Sequence, residues 1–307
     1  ASFFGFINEY WQIIIDQSLI MAIGALGLSI IYGFAGQFSF GHAAFYGIGA
    51  YASAIVTKTF GVPVIVGIVS AAVLCLVIGM LLSIPSFKLS GFYLSLVTIS
   101  FGNIVWTVIV NWHALTGGSL GLLGIQPIRI AGRALTRTEF FYLSAAILAL
   151  IYFVTTRIAR SYIGRGLRAV RDDEMAAETA GIDTKRLKLL VFSLSAIYAG
   201  IAGALYAHLS TFLSPESFVQ AESANFVAMS VVGGIRHMLG GPIGGLVVTM
   251  IPEMLRVKGW EIYYLMGSSL AILVLVIMLP NGLAPAFERF VDRLAGINRK
   301  SGGRQVK

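Results

Sequence analysis

The chain has 307 residues, 57% hydrophobic and 12% charged, with mean hydropathy +0.84 and net charge +8. A soluble domain carries about 25% charged residues, so a water-soluble globular fold is excluded, and long uninterrupted apolar runs exclude a membrane barrel. The fold class is an all-α polytopic membrane protein, because runs near the ~20 residues that cross a ~30 Å hydrocarbon core recur from end to end.

The chain opens on an aromatic lead-in, Phe3, Phe4, Phe6, Tyr10 and Trp11. Glu9 and Asp16 stand where a signal peptide would carry basic residues, so no cleavable leader is expected. Nine crossings are predicted, at residues 11–31, 43–56, 64–84, 92–110, 140–156, 189–209, 224–235, 242–255 and 262–279. The short ones, after Gly41 and around Gly233-Gly234, read as half-helices or re-entrant segments. Cys75 is the chain's one cysteine, so no intrachain disulfide forms, and it reads as a small buried hydrophobe.

The stretch from Gly33 to Tyr51, which runs on into the second crossing, is too glycine-rich and polar for an ordinary span. A second such stretch runs from Gly233 to Gly245. Non-helical backbone at membrane depth is tolerated where it is buried in protein or lines a cavity. Breaks in corresponding places of two halves point to a transport path, as in an inverted repeat. Tight helix packing at small residues explains the same glycines equally well. Gln37, Ser39, His42 and Tyr46 in the first stretch, with Thr98, Asn103 and Trp106 on the fourth crossing, are the candidate pathway residues. Asn103 is costly to bury without a partner. His42 reads first as a hydrogen-bonded structural residue, second as a ligand or proton carrier. His42, His113, His208 and His237 lack metal-ligand spacing.

Residues 111–139 form a loop with Arg129, Arg133 and Arg137. A charged island at residues 160–188 follows the fifth crossing. Arg168 to Ala180 has good helix formers and no proline, with Gly181 as its stop. Arg168, Arg171, Asp172, Asp173, Glu174 and Glu178 mix both signs, while Leu167, Val170, Met175, Ala176 and Ala180 suit a groove. Such a helix, held between two spans, suits a lever pushed by a soluble partner. The same spacing suits a solvated juxtamembrane helix whose arginines only set topology.

The island and the tail hold 13 of the chain's 22 Lys and Arg residues. Both are therefore expected in the cytoplasm, with the N-terminus outside. The loop at 111–139 then lies outside, against the rule. A transmembrane permease domain is expected over residues 1–288 and a cytoplasmic basic tail over 289–307. The positive charge marks topology and anionic-lipid contact, not nucleic-acid binding.

No span centre carries an acid–base pair of the kind an ion-coupled pump uses. No Gly-Lys dipeptide occurs, so a P-loop is absent. The chain is expected to be non-catalytic, with its energy coming from elsewhere. Two other classes remain: a secondary transporter working alone, and an intramembrane enzyme with His42 or His113 as base and Ser39 or Thr116 as nucleophile.

Four ordered segments carry a family resemblance. They are the stretch 33–51, the segment 88–124 with Leu89-Ser90-Gly91-Phe92-Tyr93, the segment 164–183 beginning Gly164-Arg165-Gly166-Leu167-Arg168, and the segment 233–256 ending Pro252-Glu253-Met254-Leu255-Arg256. The sequence resembles LivM-type permeases of branched-chain amino-acid ABC importers in the bacterial inner membrane. The resemblance implies a LivH-like second permease, two ABC ATPases (LivG-like and LivF-like) that bind ATP and Mg, and a periplasmic binding protein that does much of the selecting. No cofactor is implied in this chain. The island would be the coupling helix. Family members often carry an acid at the place of Asn103, a base at Trp106 and Gly-Thr at Arg236-His237. Related permeases also serve urea, short amides and other amino acids.

Overall fold

A computed structural model describes residues 8–130, 133–257, 264–279 and 282–286. In chain order the helices are α1 (Glu9–Ala35), α2 (His42–Phe60), α3 (Val64–Ser86), α4 (Gly91–Asn111), α5 (His113–Thr116), α6 (Arg137–Arg160), α7 (Tyr162–Asp172), α8 (Glu174–Thr179), α9 (Thr184–Ser210), α10 (Gln220–Gly233), α11 (Gly240–Val257) and α12 (Tyr264–Met278). Four two-residue strands form two small antiparallel pairs. β1 (Leu122–Leu123) pairs with β4 (Phe212–Leu213), and β2 (Arg129–Ile130) pairs with β3 (Arg133–Ala134). The predicted basic tail lies outside the described residues.

Among the described residues, α1, α3, α4, α6 and α9 are long and apolar enough to cross a membrane. Helices α2, α10, α11 and α12 coincide with the other expected crossings but fall short in length or apolar character.

The core forms around α1 and α9, which pack on each other. From Ser18 to Gly33 every residue of α1 is buried, so no solvent-facing stripe exists. A helix that is apolar all round belongs in an interior. Helix α9 also packs on α2 and α3, and α1 packs on α6 and α11. Close approach of α2 to α9 depends on glycine: a Cβ on Gly49 would collide with the Gly200 carbonyl, and one on Gly203 with the Tyr46 carbonyl. By contrast α3, α4 and α6 expose Val69, Val73, Leu96, Ile104, Leu150 and Phe153. Such faces require an apolar solvent or a partner.

Two sequence expectations change. The stretch 33–51 is broken only over residues 36–41, and the stretch 233–245 only over residues 234–239. Helix α2 is thus a full 19-residue helix, not a half-helix. Its glycines are packing contacts. The island is not one helix from Arg168 to Ala180 either. Helix α7 starts earlier and stops at Asp172; Asp173 then caps α8, its side chain accepting from Ala176 N–H at 3.0 Å. An Asp that satisfies an orphan N–H starts a new helix at that point. Gly181 ends the segment in the left-handed region, φ +82°, as expected of a C-terminal stop.

Candidate functional site

The two glycine breaks and the island meet at one end of α1. Gly36 leaves α1 with φ +64°, and a Cβ there would lie 2.5 Å from the Arg171 side chain. A Cβ on Gly33 would strike the Ile235 carbonyl in the second break. Arg171 Nη1 donates to the Gly33 carbonyl at 2.8 Å, while Nε and Nη2 fork onto Asp172 Oδ1 at 3.0 and 2.8 Å. Tyr32, Gly33, Gly36, Arg171, Gly234 and Arg236 border a cavity of about 760 Å³. The island therefore touches the backbone of one break and faces the other across a space.

The first break is held by Thr98 and His42, which the sequence singled out, and by Tyr32, which it did not. The Thr98 hydroxyl accepts from Phe40 N–H at 2.9 Å and donates to the Ser95 carbonyl. Tyr32 donates to the Ser39 carbonyl at 3.1 Å. His42 Nε2 lies 2.7 Å from the Gly24 carbonyl and its ring meets Phe226 edge-on at 5.0 Å. Such a hydrogen bond is of the kind a structural histidine makes. Tyr46 is buried among Tyr206, Phe218 and Phe226. Gln37 is buried beside them in sequence, with its Oε1 unpartnered among the described residues.

Asn103 and Trp106 do not join this group. Both lie on the exposed face of α4, Trp106 being 36% accessible. Helical periodicity explains the separation: at ~3.6 residues per turn, five residues beyond Thr98 is well round the helix, whereas 103 and 106 share a face.

The island's charges mostly bind within the chain. Arg168 donates to the Ala159 carbonyl at 3.2 Å, and Glu178 accepts from the Thr184 hydroxyl at 2.7 Å. Glu174 pairs with Lys188 at 2.5 Å. Lys188 is 1% accessible and also donates to the Ser86 carbonyl at 2.8 Å, tying α8, α9 and α3 together. Sequence reading missed this role, because Glu174 and Lys188 share no helical spacing. Leu167 and Val170 face inward, correcting their expected place in a groove. Met175, at 79% accessible, is left exposed with Ala176 and Ala180.

Among the described residues no hydrogen bond joins Ser39 or Thr116 to His42 or His113. Gly117-Gly118-Ser119-Leu120-Gly121 spells Gly-x-Ser-x-Gly, yet it forms a 3₁₀ turn over Gly118–Leu120 leading into β1, not a strand-to-helix elbow. The Thr116 hydroxyl is used by the Ile109 and Trp112 carbonyls.

Comparison with known proteins agrees with this architecture. The family described as branched-chain amino acid transport system / permease component matches residues 12–279. The chain is 32% identical over 292 residues to the high-affinity branched-chain amino acid transport system permease protein LivM of Escherichia coli K12, covering 87% of this chain and 68% of that one. It is 33% identical to the LivM protein of Salmonella typhimurium LT2, covering 89% and 69%. The LivH permease of Escherichia coli K12 is 27% identical, covering 85% and 90%. No solved structure matches. With its apolar helices and this match over most of its length, the chain is a multi-pass membrane protein that belongs to the branched-chain amino acid transport permease family.

Proposed function

We propose that this chain is a permease subunit of an ABC importer for branched-chain amino acids in a bacterial inner membrane. It crosses nine times, with the N-terminus outside and the island and tail in the cytoplasm. It works beside a LivH-like permease, and the exposed face of α4 with Asn103 and Trp106 suits that partner or the lipid. Two ATPases bind ATP and Mg and push on the island; a periplasmic binding protein delivers the cargo. The observation that carries this reading is the anchoring of the island: Arg171 on the Gly33 carbonyl and Lys188 on the Ser86 carbonyl. A push on α7 and α8 would then reach α1 and α3 without slack.

Reconstitution tests the whole reading. The chain, a partner permease, both ATPases and the binding protein are placed in proteoliposomes with labelled leucine, urea or an acidic amino acid. Leucine uptake that vanishes on omission of any subunit is expected. Urea, amide or other amino-acid uptake with the same dependence would replace the cargo and keep the machinery. Uptake by this chain alone, dissipated by an ionophore, would replace the importer with a secondary transporter.

Met175 tests the docking contact. It is the large apolar side chain that α8 exposes. Met175→Glu should lower uptake about tenfold or more, the effect of losing ~1.4 kcal/mol of docking, while the amount of protein in the membrane stays unchanged. Normal co-purification of the ATPases with this variant would remove α8 from the docking surface.

A further inference from the structure

At the far end of α1 from the Arg171 cavity, Asp16 is 1% accessible, and neither carboxylate oxygen has a hydrogen-bond partner among the described residues. Tyr32 and Asp16 are about 24 Å apart along the helix at ~1.5 Å per residue, so this is a separate site. Burying a carboxylate without a partner is costly, and buried polar groups are normally satisfied. An acid in such a place inside a membrane protein is a functional candidate whose partner has to be named.

Asp16 lines a second cavity, of about 210 Å³, with Arg137, His208, Ile128, Phe140 and Leu209 among its walls. His208 is already committed: one ring nitrogen lies 2.9 Å from Ser53 Oγ and the other 2.7 Å from the Gln126 carbonyl. The remaining charged groups are one carboxylate and one guanidinium. Arg137 is exposed, so its side of the cavity reaches the surface. Ile128 and Phe140 are buried. The volume equals about seven waters at ~30 Å³ each and lies below the roughly 300–1,000 Å³ of drug-sized sites, so the occupant is a small solute.

We infer that this cavity is a subsite for a zwitterionic α-amino acid with an aliphatic side chain. Asp16 accepts the ammonium group, Arg137 holds the carboxylate, and Ile128, Phe140 and Leu209 take the side chain. The opposed charges of the pair match a ligand that is neutral overall and charged at two points, and a planar guanidinium suits a carboxylate. The inference rests on the reading of the chain as an amino-acid permease. It adds a residue-level place where cargo released at this end of the bundle is first held.

The test uses the complete importer in proteoliposomes, carrying wild-type chain, Asp16→Asn or Arg137→Gln. Asp16→Asn keeps the shape and removes a buried charge, so its thermal midpoint should match or exceed wild type. Arg137 is exposed, so Arg137→Gln should fold normally. Each variant is expected to lower leucine uptake by about tenfold or more, the loss of one charge-assisted contact. ATP hydrolysis stimulated by the loaded binding protein should continue, so more ATP is spent per leucine. Unchanged uptake in both variants overturns the subsite and leaves Asp16 a protonated or hydrated structural residue. Uptake that falls only in step with the amount of folded protein does the same. So does leucine uptake that is kept but loses a dependence on sodium, which would make the cavity a cation site. A wild-type complex that moves no amino acid at all overturns the proposed function itself, before any variant is compared.

Discussion

Replacing Glu174 by lysine is expected to remove the protein from the membrane, not to silence a finished one. Lys188 is buried, and its ammonium group has the Glu174 carboxylate and the Ser86 carbonyl as partners. Breaking a buried pair costs roughly 3–5 kcal/mol. The Glu174 side chain is 34% accessible, which points to the lower end of that range. Placing a second cation there adds repulsion, about 4 kcal/mol at 4 Å with an effective dielectric near 20. Net stabilities of about 5–15 kcal/mol leave little margin for both. Folded protein extracted from membranes should fall sharply, and uptake should fall with it. The double variant Glu174→Leu with Lys188→Met should recover most of the protein, since an apolar pair can replace a buried ionic one. Wild-type levels and an unchanged thermal midpoint for Glu174→Lys would show that the pair does not hold the fold. The charge pattern alone gives a different expectation, that reversal at Arg171 or Glu174 abolishes uptake and spares the protein; for Glu174 the buried Lys188 reverses it.

Arg171→Ala should have the opposite signature, a folded protein that wastes ATP. The guanidinium is half-buried and makes one charged hydrogen bond to the Gly33 carbonyl. Such a bond contributes about 1.5–3 kcal/mol, which the fold can lose. What disappears is the link between the island and the last turn of α1, which leads into the first break. Uptake by the reconstituted importer should drop about tenfold or more if that energy couples the two. ATP hydrolysis by the partner subunits should persist. Arg171→Lys should fall between, because an ammonium cannot bond Gly33 and fork onto Asp172 with the same geometry. Normal uptake by Arg171→Ala would show that force reaches α1 by another route.

Features with a local cause were legible in the sequence. The helical runs follow from apolar length, Gly181 from its left-handed stop, and His42 from the usual fate of a lone buried histidine. The break between α7 and α8 had a readable sign in Asp173, which caps α8, although helix propensity favoured one continuous helix. Asn103 and Trp106 were grouped with Thr98 by their place on one span, and helical angle separates them. Lys188 read as a topology signal because its neighbours in sequence are basic. Its partners, Glu174 and Ser86, become neighbours only when α3, α8 and α9 pack.

Composition and apolar runs were by themselves enough to determine a polytopic helical membrane protein, because the cost of burying backbone and charge in hydrocarbon admits few alternatives. Four ordered motifs were enough to determine the family. Only the tertiary structure decided which charges are buried, which glycines are turns and which are contacts, and that both breaks share one cavity with Arg171. Those outcomes depend on distances between residues far apart in the chain, such as Gly33 to Ile235 and Asp16 to Arg137, and no local propensity encodes them.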